Sequence, residues 1–174
     1  MQISTSVPGL NIRSANIHDC PAILGFIREL AEYEKLGHAL VATVETLQES
    51  LFGDTHYAEV LIAEFEDSPV GYSLFFHNFS TFTGRPGIYL EDIYVQPPMR
   101  GKGIGKSMLS YIAKLAVDRR CTRLEWSVLD WNEPSIQFYR SIGASPMDGW
   151  TVQRLDGQAL TNFAARFHLK RVIL

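Results

Sequence analysis

Apolar residues recur with helical spacing in three stretches of the chain. The first stretch, residues 19–35, keeps its apolar side chains on one face and begins at Asp19, a residue type that often caps helices. The second stretch begins near Thr43, and the third, residues 104–116, also has one apolar face. The spacing therefore predicts three amphipathic helices, each of which buries one side.

Shorter runs rich in Val, Ile, Phe and Tyr separate these helices. Such runs, when bounded by Gly, Pro, Asp and Ser, are typical of β-strands. They predict strands at residues 58–66, 70–79, 88–95, 122–129 and 150–155. Because the turn "DSP" joins the first two strands, we expect these two to form a hairpin.

The order of the elements indicates the fold class. A loop is predicted at residues 80–87 and a short helix at 132–144, whereas the tail from residue 159 fits no single element. Strands that first follow one another and then alternate with helices predict a mixed sheet covered by helices. We therefore expect an α/β or α+β fold in a single domain that comprises residues 1–174.

Composition limits the classes of protein to which this chain can belong. The 174 residues are 46% hydrophobic and 20% charged, which is enough for one packed core. No apolar run approaches the ~20 residues that span a bilayer, and the first residues have no signal-peptide pattern. The only two cysteines, Cys20 and Cys121, make no disulfide framework. We therefore expect a reduced, cytoplasmic protein without a membrane partner.

Charge and histidine spacing exclude further classes. The net charge of −3 contrasts with the basic surfaces of nucleic-acid binders, so no nucleic-acid partner is predicted. A mildly acidic chain is compatible with a cationic substrate. The five histidines have no metal-ligand spacing, so no metal site is predicted.

The stretch "RGKGIGKS", residues 100–107, places three glycines ahead of a predicted helix. A dinucleotide-binding fold requires G-x-G-x-x-G near its first strand, whereas the spacing here is G-x-G-x-G in mid-chain. A P-loop requires a glycine where Arg100 stands, so "GIGKS" matches a nucleotide site only in part. Neither pattern is complete.

A third interpretation is a pyrophosphate site at the N-terminus of a helix. Glycines allow several backbone N–H groups to converge on a phosphate, and the helix adds its positive end. The residues that would form this site are Arg100, Gly101, Lys102, Gly103, Ile104, Gly105 and Lys106. A glycine-rich turn on a basic surface is the alternative interpretation.

The same stretch resembles a known family. Arg100, Gly103 and Gly105 match the pattern [QR]-x-x-G-x-[GA] of the coenzyme A loop in the GNAT superfamily of N-acetyltransferases. The stretches "IRELAEYEKL", "IYLEDIYV" and "VLDWNEPSIQFYRSIGA" resemble its diamine (spermidine/spermine) and thialysine branch, in order, from residue 12 to about 150. This resemblance implies a mixed, mainly antiparallel, twisted sheet flanked by helices.

The resemblance also implies an activity. Members of this branch move the acetyl group of acetyl-CoA directly to a primary amine of a small polyamine, diamine or thialysine-like substrate, and they are usually homodimers. Glu91 matches the residue that binds the cationic amine and takes its proton, and Tyr139 matches the general acid for the thiolate. On a regular strand, Glu91 and the adjacent Asp92 are expected to point to opposite faces. A solvated carboxylate and a core aromatic are the structural alternatives for Glu91 and Tyr139.

Further roles follow from the resemblance alone. The backbone of the third strand would pair with the pantetheine arm, and the 132–144 helix would contact the cofactor through its first turn. These cofactor positions are Ile93, Tyr94, Val95, Asn132, Pro134 and Ser135, with Asn132 also able to cap the helix. The matching substrate positions are Tyr33, Glu34, Glu91, Asp92, Glu125, Trp126, Ser127 and Asp148.

Departures from the branch leave alternatives open. Phe82 stands about where spermidine/spermine enzymes carry a tryptophan, and their acidic residue in this loop has no counterpart, which argues against strong spermidine activity. An acetyltransferase for an amino acid, an aminoglycoside or a protein lysine is the first alternative. A nucleotide-binding domain and an acyl-CoA sensor without turnover are the others.

Overall fold

The structure is a computed structural model, and it describes residues 2–167. These residues form two compact units, one that ends at Asp130 and one that begins at Trp131. Each unit is described by itself, and the single domain expected from the sequence stays a prediction. No helix among the described residues is long and apolar enough to cross a membrane.

The first unit contains one sheet and three helices. Its elements are β1 (Gln2–Ser4), β2 (Leu10–Ser14), α1 (Cys20–Tyr33), α2 (Val44–Phe52), β3 (Glu59–Phe65), β4 (Ser68–Ser80), β5 (Arg85–Val95), α3 (Ile104–Asp118) and β6 (Leu124–Trp126). The strands lie in sequential order, and all neighbours are antiparallel except β5 and β6, which are parallel. The predicted mixed, mainly antiparallel sheet is therefore confirmed.

The second unit contains two helices among its described residues. These are α4 (Glu133–Ser141) and α5 (Gly157–Ala164). The strand predicted at 150–155 is wrong, because residues 150–156 form no helix or strand. The alternation of Trp150 and Val152 suggested a strand, but a strand needs a neighbour for its backbone groups, and no described strand pairs with this segment. The last seven residues of the ambiguous tail lie outside the described residues.

Several element boundaries differ from the predictions. The hairpin between β3 and β4 turns at Glu66 and Asp67, whose φ angles of 48° and 62° are typical of a type I′ turn, slightly before the predicted "DSP". The loop predicted at 80–87 shrinks to four residues, because β4 and β5 continue into it. The strand predicted at 122–129 is only three residues long, and the short strands β1 and β2 were not predicted.

A side chain caps the N-terminus of α2 but not that of α1. Helix α2 begins next to Thr43, as predicted, and Thr43 caps it, since its Oγ1 accepts the backbone N–H of Thr46 at 3.2 Å. Asp19 precedes α1, but its carboxylate makes no capping bond to the helix. It pairs instead with Arg13 at 2.8 Å and accepts the N–H of Asn16 at 2.7 Å. The hydrogen bond from Arg13 lowers the pKa of Asp19, so this pair ties β2 to the start of α1.

The core lies between the sheet and the helices. Helix α1 packs on α2 and β4, and α3 packs on β3 and β5. The residues that α1, α2 and the sheet bury together are Ile23, Phe26, Leu51, Val60, Ile62, Tyr72 and Tyr94. Tyr72 and Tyr94 face each other in the register of β4 and β5, so the strand that carries the predicted catalytic Glu91 is anchored in this core.

Replacement by alanine at two glycines of the first unit is predicted to change the free energy of unfolding in opposite directions. Gly71 pairs with Val95, and a Cβ there would collide with the carbonyl oxygen of Tyr94. We expect Gly71→Ala to lower the free energy of unfolding by about 1–3 kcal/mol. Gly25 lies within α1, and a Cβ there meets no atom within 4 Å. Gly25→Ala is expected to raise the same free energy by about 0.5–1 kcal/mol.

Thermal and urea unfolding of both variants check this pair of predictions. Because the two substitutions add the same methyl group, Gly25→Ala controls for the effect of alanine on the unfolded chain. An unchanged unfolding midpoint for Gly71→Ala would show that β4 and β5 separate easily at this position.

Candidate active site

Strand β5 contains one extra residue at Glu91. Leu74 of β4 pairs with Asp92, and the next residue, Phe75, pairs with Leu90, so Glu91 has no partner in the register. An extra residue of this kind is a β-bulge, which bends the strand and re-aims its side chains. The expectation that Glu91 and Asp92 point to opposite faces assumed a regular strand, and the bulge removes that assumption.

Tyr72 lies beside this bulge. Its side chain is fully buried, its ring stacks on Phe26 with centroids 5.8 Å apart, and its hydroxyl donates to Oδ2 of Asp92 at 2.7 Å. Burial raises the pKa of Tyr72, and the negative charges of Asp92, Glu34 and Glu91 raise it further. The hydroxyl is therefore a fixed, protonated donor, and both bulge carboxylates lie close enough to act on it.

Three carboxylates thus gather at the end of α1 and at the bulge. Burial raises the pKa of Asp92, and the hydrogen bond from Tyr72 opposes this rise. Burial also raises the pKa of Glu34, and the charge of Asp92 adds to it. Glu34 follows the last residue of α1, where the helix already has its negative end. Because these charges repel one another, a bound ammonium group would relieve them.

The edge of β5 beyond the bulge has no neighbouring strand on the β6 side among the described residues. Pairing between β5 and β6 ends at Leu90 and Trp126. The backbone of residues 91–95 therefore continues past the end of β6, and its outward groups can bind an extended ligand as if it were a strand. The predicted pantetheine-contacting residues lie on this edge: Ile93, Tyr94 and Val95.

The glycine loop that follows β5 has the geometry of an anion site. Gly101 and Gly103 have φ angles of 77° and 81°, which other L-residues rarely adopt, and Gly103 directly precedes α3. A Cβ at Gly101 would meet no atom within 4 Å, and one at Gly103 would meet only Val7, at 3.5 Å. A phosphate can therefore approach this backbone closely at the positive end of α3, which begins at Ile104 and Gly105. The residues present fit the pyrophosphate of coenzyme A.

Arg100 connects this loop to the substrate side. Its Nε donates to the carbonyl oxygen of Val95 at 2.9 Å. Its guanidinium carbon lies 5.0 Å from the ring centroid of Tyr33, at the end of α1, and 5.4 Å from that of Tyr94. Guanidinium groups stack favourably on aromatic faces. The predicted cofactor residue Arg100 and the predicted substrate residue Tyr33 are thus in contact.

The other predicted cations, Lys102 and Lys106, are also exposed. Lys102 places Nζ 5.0 Å from the ring centroid of Phe65, and Lys106 is exposed in the first turn of α3.

Tyr94, near the end of β5, is anchored by its side chain. Its hydroxyl donates to Oε2 of Glu29 at 3.0 Å. Burial raises the pKa of Tyr94. Because this side chain is buried and hydrogen-bonded to Glu29, it fixes the strand, and any ligand contact would involve the backbone of Tyr94.

Two predicted substrate residues lie in β6 and just after its end, and each already has a protein partner. Oε2 of Glu125 accepts from Asn78 at 2.7 Å and lies 2.8 Å from Nε of Arg123. Ser127 Oγ lies 2.7 Å from the hydroxyl of Tyr89. These contacts hold both side chains in place at the end of β6.

The first turn of α4 contains three predicted cofactor residues. Asn132 precedes the helix and is buried, but its side chain makes no capping bond, so the predicted cap is wrong. Its backbone carbonyl accepts the N–H of Ile136 at 3.0 Å. Pro134 and Ser135 follow in the first turn, as the sequence predicted.

The two other predicted residues of the second unit lie further along. Tyr139 is half-buried on α4, and its ring centroid lies 5.5 Å from that of Phe138. Asp148 is exposed between α4 and α5. Their roles stay predictions.

Sequence reasoning missed Tyr72, Asn78 and Arg123. A tyrosine within an apolar strand gives no signal by itself, since most such residues are packing residues. Asn78 and Arg123 are 45 residues apart and belong to no recognised motif. Only the register of β4, β5 and β6 brings them together.

Removal of the Tyr72 hydroxyl tests the carboxylate cluster. Tyr72→Phe leaves the buried Asp92 without its donor, so we expect a loss of about 1–3 kcal/mol in the free energy of unfolding at neutral pH. The folded-state pKa of Asp92 is already raised and should rise further. Stability should therefore fall more steeply than in the unchanged protein as pH rises from below the unfolded pKa of ~3.9.

Urea unfolding between acid and neutral pH measures this effect. The control is the same substitution in an Asp92→Asn background, where position 92 no longer titrates and the extra pH dependence should vanish. A loss of stability that is equal at every pH in both backgrounds would contradict the assigned role.

Comparison with known proteins identifies the family. Residues 25–144 match the family model described as "Acetyltransferase (GNAT) family". A thialysine N-ε-acetyltransferase of Bos taurus is 40% identical over 166 residues, which cover 89% of this chain and 97% of that protein. An L-ornithine N5-acetyltransferase of Arabidopsis thaliana is 31% identical over a match that covers 86% of this chain and 85% of that protein. An integron cassette protein from the mobile metagenome of V. cholerae superposes with a TM-score of 0.76 at 27% identity, over 90% of this chain and 98% of that one. The chain belongs to the GNAT family of acetyltransferases.

Proposed function

We propose that this N-acetyltransferase moves the acetyl group of acetyl-CoA to a primary amine of a small cationic substrate. The substrate class is a diamine, a polyamine or a thialysine-like amino acid. The observation that carries the proposal is the cluster of Glu34, Glu91 and Asp92 around Tyr72, in which Glu91 and Asp92 lie on the strand that leads into the glycine loop. The names of the two relatives, which act on thialysine and on L-ornithine, support the same class.

The carboxylate cluster would bind the amine and prepare it for reaction. An alkyl amine has a pKa near ~10, so it arrives as an ammonium ion and must lose a proton before it can attack. Asp92 and Glu34 attract the cation, and Glu91 at the bulge accepts its proton, directly or through water. The backbone N–H groups after the bulge polarise the carbonyl that is attacked.

The loop and the first turn of α4 would hold the cofactor. When bound, acetyl-CoA supplies an activated acyl carbon and a thiolate leaving group. Gly101, Gly103 and Gly105 receive the pyrophosphate, and Arg100, Lys102 and Lys106 add positive charge. Asn132, Pro134 and Ser135 contact the pantetheine arm in this proposal.

Tyr139 completes the reaction as the general acid. The amine nitrogen forms a bond to the acyl carbon while the carbon–sulfur bond breaks, and the phenol gives its proton to the sulfur. The ammonium loses two protons in all. Tyr139 gives its own proton to the thiol, and one proton from the ammonium then restores the phenol. The other proton leaves through Glu91 to solvent.

We further propose a homodimer in the cytoplasm. Large apolar side chains in the second unit are exposed, and a second copy of the chain would cover them; they are Trp150, Val152, Leu155, Leu160 and Phe163. The free thiols of Cys20 and Cys121 suit a reducing compartment.

An acceptor panel tests the proposed activity. Release of free thiol from acetyl-CoA is measured with spermidine, putrescine, thialysine, lysine, an aminoglycoside and a histone-tail peptide. We expect turnover with the small diamines or amino acids and little with the last two, because the cluster suits a slender cation. Turnover with the aminoglycoside or the peptide alone would assign the enzyme to another acceptor class.

Tyr139→Phe tests the general acid. Loss of the phenolic proton donor is expected to lower kcat by roughly 10²–10⁴-fold and to leave the KM for acetyl-CoA nearly unchanged. Tyr111→Phe, the same change on α3, is the matched control and should keep the original kcat. Equal turnover in the two variants would remove Tyr139 from the mechanism.

A further inference from the structure

Asn78, Arg123 and Glu125 form a cluster of opposite charges on the sheet face that carries Asp92. Asn78 Nδ2 donates to Oε2 of Glu125 at 2.7 Å, and Nε of Arg123 lies 2.8 Å from the same oxygen. The N–H of Arg123 Nε is nevertheless not directed at that oxygen, and neither it nor Oδ1 of Asn78 has a hydrogen-bond partner within residues 2–167, although both atoms are buried. The cluster therefore has unused hydrogen-bonding capacity.

The cluster differs from an ordinary structural ion pair in the same unit. Arg119 binds Glu59 through both terminal nitrogens and both carboxylate oxygens. Arg123, in contrast, makes no hydrogen bond of good geometry to Glu125 within residues 2–167, and its Nη2 makes a long contact of 3.4 Å to the carbonyl of Phe79. Oε1 of Glu125 and Nη1 of Arg123 thus remain available to a ligand in the part of the chain that the structure describes.

The backbone beneath the cluster holds it in place. A Cβ at Gly87 would collide with Oδ1 of Asn78 and would lie 2.7 Å from Cγ of Arg123. Only glycine therefore lets β4, β5 and the start of β6 bring these groups together. About a third of each of the Arg123 and Glu125 side chains is exposed, at 37% and 34%, so a ligand can reach them.

The spacing to the carboxylate cluster matches a short amino acid side chain. Tyr89 pairs with Glu125, and Glu91 lies two residues further along β5, or about 7 Å at 3.3 Å per residue. A side-chain amine five bonds from its α-carbon reaches about 6 Å, since each bond adds roughly 1.25 Å along an extended chain. In the register, Phe76, Tyr89 and Glu125 lie in one row across β4, β5 and β6, and the rings of Phe76 and Tyr89, 5.4 Å apart, provide an apolar surface beside Glu125.

We propose that Asn78, Arg123 and Glu125 bind the head group of an α-amino acid whose side-chain amine is acetylated at Glu91. Glu125 Oε1 accepts from the α-ammonium, and the guanidinium of Arg123 donates to the α-carboxylate. Asn78 positions Glu125 by donating to its Oε2. This assignment rests on the proposed function and narrows its substrate class.

The positive charge of Arg123 also disfavours a simple diamine. The second ammonium of putrescine or spermidine would lie beside the guanidinium of Arg123, and these amines have no α-carboxylate of their own to offset the repulsion. The subsite therefore predicts that thialysine is preferred over the diamine that lacks only its carboxylate.

Three acceptors separate the contacts in this subsite. They are thialysine, its decarboxylated diamine and Nα-acetyl-thialysine, each assayed by thiol release. Arg123→Gln is expected to raise the KM for thialysine and for its Nα-acetyl form by about 10–100-fold, the value of a charged hydrogen bond, and to leave the diamine within about threefold. Glu125→Gln should raise the KM for thialysine and for the diamine, but not for the Nα-acetyl form.

Matched variants control for folding. Arg119→Gln removes the arginine of the Arg119–Glu59 ion pair and should leave the KM for thialysine unchanged. Arg123→Lys, which keeps the positive charge, should restore part of the preference for the carboxylate. If Arg123→Gln and Glu125→Gln weaken all three acceptors equally, the cluster is structural and the subsite is overturned. The subsite also fails if the unchanged enzyme uses thialysine and its diamine equally well.

Calorimetry distinguishes failure of the subsite from failure of the proposed function. The three acceptors are titrated into the protein with coenzyme A present. Tighter binding of thialysine than of the diamine, abolished by Arg123→Gln, supports the subsite even if no acceptor turns over. Turnover without this difference in binding would support the proposed function and overturn the subsite.

Discussion

The hydrogen bond from Tyr72 to Asp92 determines what the rest of the site can do. A carboxylate beside an apolar core is costly to ionise, and burial does raise the pKa of Asp92. The buried phenol offsets part of this cost because its ring, stacked on Phe26, cannot turn away from the carboxylate. The donor is therefore supplied by the core itself, and the charge available to a substrate depends on the packing of α1 against β4.

The bulge at Glu91 depends on the same packing. On either side of it, Tyr94 and Leu90 are buried, so the strand is held at both ends while the extra residue is exposed. This arrangement gives one strand two tasks. In the proposed function, its bent part would present carboxylates to the amine, and its continuing edge, beyond the last pair with β6, would bind the extended cofactor. Arg100 then links that edge to the end of α1 through Val95 and Tyr33.

The sequence predicted those features that depend on local patterns. Helical spacing placed α1, α2 and α3, and the glycines at 101 and 103 indicated a phosphate site whose positive φ angles the structure shows. The bulge could not be predicted in this way, because one extra residue in an apolar strand changes no recognisable period. The strand expected at 150–155 failed for the opposite reason. Its alternation is present, but pairing is a long-range property that the pattern does not contain.

The charges along this face of the sheet explain why one end of a substrate should differ from the other. In the proposed function, the negative charges of Glu34, Glu91 and Asp92 would attract any ammonium group and would distinguish poorly between amines. Discrimination must then come from the far end of the ligand. There the charge of Glu125 is balanced by Arg123, and an electrically neutral pair favours a zwitterion over a second cation. Affinity and specificity would therefore reside in separate clusters, joined by the length of the substrate side chain.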